Sequence, residues 1–217
     1  MFVGDRMTHP VITIPPETPL QDALNLMQKE HIRRLPVVDH RGTLVGIVSE
    51  RDLLHASPSD ATSLSVWELN YLLSKVTVEK IMTKQVISVT KETPLEEAAR
   101  IMADSKIGGL PVTADGQVVG IITETDLFKV FLELLGARNA GVRVAALVTN
   151  QPGELAKLTK AVFEAGGNIQ ALGTFQGEST HNAEVVMKVS GIKLAGLKQA
   201  VQPVVERLVD VRETKAA

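Results

Sequence analysis

Two carboxylates occupy matching places in this chain. Asp52 follows Ser49 by three residues, and Asp126 follows Thr123 by three. Each hydroxyl-x-x-Asp set sits where an apolar run gives way to a helical pattern, so the Asp falls in a first helical turn. Two chemistries suit that place. The hydroxyl and the carboxylate can cap the helix and favour the positive end of its dipole. A planar carboxylate can also accept two hydrogen bonds from vicinal hydroxyls, such as those of a ribose. Capping accounts for either copy alone, yet it does not require the same Asp twice. On the residues alone the two readings stand level.

The elements around these sets are themselves duplicated. Residues 35–53 read LPVVDHRGTLVGIVSERDL, and residues 110–127 read LPVTADGQVVGIITETDL. The match extends upstream at a constant spacing of 75 residues: Met7-Thr8 with Met82-Thr83, Thr18-Pro19-Leu20 with Thr93-Pro94-Leu95, and Pro36 with Pro111. Past the turn the spacing is 74, so one residue is lost in a loop, where deletions are best tolerated. A repeat this long marks a duplicated structural unit.

Each copy reads as strand, helix, strand, strand, helix. Residues 11–14 and 86–89 suit strands. Thr18-Pro19-Leu20-Gln21 and Thr93-Pro94-Leu95-Glu96 read as capping boxes with Pro at the first helical position. Behind them Leu20, Ala23, Leu24 and Met27, and Leu95, Ala98, Ala99 and Met102, form apolar helix faces. Residues 35–38 and 44–48, then 110–112 and 118–122, are strands, and 50–55 and 125–135 start helices. Residues 56–63 form a loop, and 66–74 read as a helix carrying the lone Trp67 and Tyr71, expected to pack between the repeats. Gly136 and Gly141 bracket a linker.

The remainder follows another grammar. A strand over 142–148 leads through Asn150-Gln151-Pro152-Gly153-Glu154-Leu155 into a helix with Leu155, Leu158, Val162 and Ala165 on one face. Gly166-Gly167 ends it. Strands over 169–175 and 183–189, a helix over 193–201 stopped by Pro203, and a strand over 208–212 complete β-α-β-β-α-β, the split ferredoxin-like order.

Bulk properties narrow the function. The 217 residues carry a net charge of −2, so no strongly basic surface argues for nucleic acid. There is no cysteine, which excludes disulfides, thiolate nucleophiles and Cys-based metal sites. No apolar core of signal-peptide length opens the chain, and no apolar stretch reaches the roughly 18 residues of a membrane span. These features suggest a soluble, cytoplasmic protein. His9, His31, His40, His55 and His181 show no metal-ligand spacing; only His31 stands near a candidate site. No G-x-S-x-G, Walker A or G-x-G-x-x-G occurs, and no catalytic constellation emerges. The expectation is a protein that is not an enzyme, with no metal and no required cofactor.

The duplicated unit resembles a tandem CBS domain pair, a Bateman module. The resemblance is carried by Met-Thr before the first strand, Thr-Pro-Leu at the helix, Leu-Pro-Val, and the runs Gly-Ile-Val-Ser-Glu-Arg-Asp and Gly-Ile-Ile-Thr-Glu-Thr-Asp. It implies two clefts that take adenine nucleotides (AMP, ADP, ATP) or S-adenosylmethionine as regulatory ligands, and it tips the Asp pair toward ribose binding. One cleft would use Ser49 and Asp52 for the ribose, Arg33 and Arg34 for phosphate, and Ile87 and Ile107 around the base. The other would use Thr123, Asp126, Ile12 and Ile32. There the counterparts of the arginines are Gly108 and Gly109, which leaves only Lys106 and Arg33 to reach in. The resemblance thus implies that the Asp52 cleft prefers the more highly phosphorylated ligand.

Residues 141–217 resemble an ACT domain through Asn150-Gln151-Pro152-Gly153-Glu154-Leu155 and Gly167-Asn168-Ile169. That resemblance implies an amino-acid site formed by Asn150, Gln151, Gly153, Glu154, Leu155, Asn168 and Ile169. A helix N-terminus behind a glycine attracts a carboxylate. Alternatively, Pro-Gly merely makes a tight helix entry. The expected partition is a first CBS repeat with connecting helix over 1–74, a second over 75–135, a linker over 136–141 and the ACT domain over 142–217. The whole is similar to the AcuB-type acetoin-utilisation regulatory proteins. It implies an α/β homodimer that senses ligands and signals to a protein partner. The rival expectations are a structural interaction module, or a regulatory subunit without its own nucleotide response.

Overall fold

The computed structural model describes residues 1–56 and 75–216. The helix expected over 66–74, with Trp67 and Tyr71, lies outside the described residues. The chain packs as two compact units, Met1–Leu127 and Phe128–Ala217. The helix Glu124–Leu134 therefore runs across their division, ahead of the glycine-bracketed linker.

In the first unit, strands β1 (Arg34–Val38) and β2 (Leu44–Ser49) form one antiparallel hairpin, followed by helix α2 (Glu50–Ala56). Strands β3 (Gly109–Ala114) and β4 (Gln117–Thr123) form the other, followed by α4 (Glu124–Leu134). Helix α1 (Leu20–Lys29) buries Leu20, Ala23, Leu24 and Met27, the face its spacing predicts. Helix α3 (Leu95–Ser105) buries Leu95, Ala98 and Met102. Burying a side chain such as Leu20 or Met27 stabilises by about 1.5–3 kcal/mol.

The strands expected over 11–14 and 86–89 are single parallel bridges, Ile14 with Val37 and Val89 with Val112. The reason is proline. Ile14 N–H donates to the Pro36 carbonyl and Val38 N–H to the Ile14 carbonyl, at 3.2 and 3.0 Å. The next rung needs an N–H from Pro36, which has none, and Pro111 stops the second copy in the same way. The expected capping boxes are also absent. Pro19 and Pro94 are the N-caps, with no side-chain cap bond. Thr18 Oγ1 instead donates to the Pro15 carbonyl at 2.8 Å.

What holds those helix starts comes from the other repeat. Leu20 N–H donates to Val76 O and Val78 N–H to Thr18 O, both at 2.9 Å. In the matching place Leu95 N–H donates to Met1 O at 3.2 Å and Val3 N–H to Thr93 O at 2.9 Å. Val78 is buried in the core of the first repeat, beside Leu20, Leu35 and Leu53. The exchange continues downstream: Thr83 bridges Ile47, and Thr8 bridges Ile121. The Met82 sulfur lies against Gly46 and the Met7 sulfur against Gly120, leaving no room for a Cβ at either glycine. The repeated Met-Thr and the second repeated Gly are thus two sides of one contact, made across the repeats.

In the second unit, β5 (Gly141–Thr149), β6 (Asn168–Gln176), β7 (Asn182–Ser190) and β8 (Arg207–Thr214) form an antiparallel sheet in the order β6-β7-β5-β8. With helices α5 (Glu154–Glu164) and α6 (Leu194–Val201), this is the expected β-α-β-β-α-β arrangement. Pro203 sits in a 3-10 turn after α6. Val144, Ala146, Leu158, Val162, Met187 and Leu197 share the core. Only Leu158 and Val162 of the expected α5 face are buried; Leu155 and Ala165, at the helix ends, overhang the sheet and stay exposed.

Candidate functional site

Both hydroxyl-x-x-Asp sets close on themselves at a helix start. Ser49 N–H and Ser49 Oγ donate to Asp52 Oδ2 at 2.9 and 2.6 Å, and Asp52 N–H returns to Ser49 Oγ at 3.3 Å. That is a reciprocal cap on α2. Thr123 N–H and Oγ1 donate to Asp126 Oδ2 at 3.1 and 2.7 Å on α4. The capping reading is therefore correct as local structure. It does not exhaust the carboxylate: the described bonds of Asp52 fall on Oδ2, and both aspartates line clefts.

The first cleft has a volume of about 570 Å³. It brings together Ser49, Asp52, Arg33, Arg34, Ile87 and Ile107, the residues expected there. The exchanged segment after Thr83 positions Ile87, and the end of α3 positions Lys106 and Ile107. The second cleft, about 390 Å³, brings together Thr123, Asp126, Ile12 and Ile32. Both volumes fall in the range of small-molecule sites.

Two expectations about the arginines need correction. Gly108 and Gly109 line the first cleft, not the second, and so does Lys106. Arg33 and Arg34 line both clefts. The 75-residue spacing shows which residues correspond, but adjacency in space is crossed. The arginines of one repeat lie against the glycines of the other. A Cβ at Gly108 would collide with Arg34 Nη2 and stand 2.7 Å from Glu124 Oε2, and one at Gly109 would stand 3.2 Å from Arg34 Cδ. The missing side chains make the room that the guanidinium occupies.

Arg34 is half-buried on this shared wall. Burial pulls its guanidinium below the usual value, Glu124 opposes that, and Arg33 and Arg51 add to it. Arginine stays charged through such shifts. Sequence reasoning missed Arg51, Glu124, Thr83 and Gln85 in the first cleft, and Thr8, Pro10 and Glu30 in the second. The Met-Thr repeat was the available signal for Thr8 and Thr83.

His31 and Lys106 correspond at 75 residues and share a left-handed backbone, φ 53° and 55°. Such conformations cost a non-glycine residue about 1–3 kcal/mol and cluster at ligand sites. Each lines one cleft, His31 the second and Lys106 the first.

In the second unit a pocket of about 510 Å³ is lined by Asn150, Gln151, Glu154 and Leu155, with Thr174, Phe175, Ser179 and Thr180, which the sequence did not single out. Gly153 turns the chain with φ 93° at the entry to α5 but does not line it. Asn168 and Ile169 do not line this pocket. Helix α5 carries the chain back along the sheet, so β6 begins at the end opposite Asn150; Asn168 pairs with Ser190, while Gln176, near the pocket, pairs with Ala183. Eight residues of strand separate them, about 26 Å. Within the pocket, the Glu154 carboxylate is held below its usual range by Lys157, at 2.6 Å, and by the Thr149 hydroxyl. No described helix is long and apolar enough to cross a membrane, and no cluster of metal-ligating side chains occurs among the described residues.

Two interlocked copies of one hairpin unit with two clefts, followed by a ferredoxin-like sheet unit, define a tandem-repeat module joined to a second domain. The chain belongs to the CBS-domain family: residues 3–59 and 78–133 match the CBS domain, and 140–212 match the TTHA0829-like ACT domain. It is similar to a solved acetoin utilization protein, AcuB, of Vibrio cholerae, at 37% identity and TM-score 0.53, covering 63% of this chain and 93% of that one. It is similar to CBSX2 solved in complex with AMP, at 38% identity and TM-score 0.52, covering 61% and 97%. The CBS pair of MJ0100, solved with 5'-methylthioadenosine and S-adenosyl-L-methionine, matches at 31% and TM-score 0.52 over 64% and 98%. Against curated CBSX2 of Arabidopsis thaliana, identity is 36% over 152 residues, or 64% of that protein's length.

Proposed function

We propose that this chain is a regulatory sensor that binds adenine-containing ligands in its two clefts and passes the bound state to a protein partner. One observation carries the reading. A carboxylate in a helix cap, two isoleucines from the other repeat and two arginines line a single cleft of about 570 Å³. These are an acceptor for ribose hydroxyls, apolar faces for a purine and donors for phosphate. The relatives solved with AMP, S-adenosylmethionine and methylthioadenosine support the ligand class. Arg51 and Lys106 line the Asp52 cleft and not the other, which favours the more highly phosphorylated ligand there.

The reading extends to a cytoplasmic homodimer without catalytic activity of its own. A free amino acid is the candidate ligand beside Asn150 and Gln151, and the likeness to AcuB makes acetoin or acetyl-CoA metabolism the candidate pathway. A thermal-shift panel of AMP, ADP, ATP, S-adenosylmethionine, NAD and the twenty amino acids tests it. A ligand at 100 times its dissociation constant adds about 2.7 kcal/mol. Silence from every adenine compound would turn the reading toward a structural interaction module.

A further inference from the structure

The two clefts share a wall. Arg33 and Arg34 line both cavities. Their counterparts in the second repeat, Gly108 and Gly109, supply space rather than charge. The two clefts thus hold one capping aspartate each but share a single arginine pair among the described residues. Apart from that pair, Arg51 and Lys106 line the first cleft, whereas no further Lys or Arg among the described residues lines the second.

Resting on the nucleotide reading above, we propose that Arg34 is a single phosphate-binding group divided between the two clefts, so that a phosphorylated ligand in one weakens a phosphorylated ligand in the other. The guanidinium presents its donors in one plane. Half-buried, and confined between Gly108, Gly109 and the Glu124 carboxylate, it turns that plane toward one phosphate at a time. Glu124 opens α4, the helix that Asp126 caps, while its carboxylate faces the first cleft. Withdrawing Arg34 toward either ligand therefore changes the charge balance at the other. The coupling acts on phosphate, so an uncharged nucleoside escapes it, and it is reciprocal.

The test is two-site calorimetric titration with AMP and with adenosine. Asp52→Ala and Asp126→Ala each isolate one cleft, and Asp52→Asn serves in place of the first if helix α2 unravels. Expected for AMP is a second step in the unaltered chain about tenfold weaker than the same cleft shows in isolation. For adenosine no such gap appears. Arg34→Gln weakens AMP in both clefts and closes the gap. Stepwise AMP affinities that equal those of the isolated clefts would overturn the shared arginine while leaving nucleotide binding intact. Binding of no adenine compound overturns the sensor reading itself.

Discussion

The two clefts start from one duplicated sequence and end as different sites. Both hang an aspartate on a helix cap, both flank it with isoleucines from the other repeat, and both are lined by Arg33 and Arg34. They differ in what surrounds the arginines. The first adds Arg51 and Lys106; the second has Glu30 and His31. Duplication preserved the acceptor, which needs one geometry, and let the charge diverge.

The largest expected effect separates the clefts cleanly. Asp52→Ala weakens AMP binding about 100-fold in its own cleft, since hydrogen bonds to a charged group are worth about 1.5–3 kcal/mol each. Asp126→Ala does the same in the other, and calorimetry reads which step disappears. Equal losses from both steps in either variant would break the assignment. Gly108→Val comes next. Its neighbours are the flexible ends of Arg34 and Glu124, so stability changes by less than about 1 kcal/mol. The displaced guanidinium lowers AMP affinity about tenfold in both clefts; a loss confined to one would return the arginine to a single site. Lys106→Gln is expected to cut the preference of the Asp52 cleft for ATP over AMP by about threefold, the scale of one exposed charge. His31→Gln leaves that ratio unchanged. The caps are read in stability rather than affinity. Ser49→Ala costs about 1 kcal/mol in thermal unfolding, whereas Thr18→Ala, whose hydroxyl caps nothing, costs a few tenths.

Repetition made the acid pair legible. Neither Asp52 nor Asp126 stands out alone, but two matched hydroxyl-x-x-Asp sets do. The fold of the C-terminal unit was equally plain, because period and turn residues specify β-α-β-β-α-β locally. What escaped was contact between distant segments. Gly108 and Gly109 looked like a phosphate site gone missing, since a spacing of 75 aligns them with Arg33 and Arg34. Only the fold shows that glycine and arginine face each other. The apparent capping boxes failed for a related reason: the starts of α1 and α3 are satisfied by backbone from Val76 and Met1. Asn168 and Ile169 stand apart from the pocket because they open β6, at the sheet end opposite Asn150, and no local pattern in the sequence reports which end of a sheet a strand begins from.

The exchanged lead segments set an order of events as the chain is made. Val3 and Thr8 find their partners only at Thr93 and Ile121, 90 and 113 residues later in the chain. At about 5–20 residues per second, that is a wait of roughly ten seconds. The first repeat closes earlier, once residues 76–83 arrive to complete the start of α1 and the edge of β2. A chain that ends before residue 76 therefore lacks Val78 in the core of the first repeat and the backbone partners of Leu20 and Ile47, which leaves Leu20, Leu35 and Leu53 short of a neighbour.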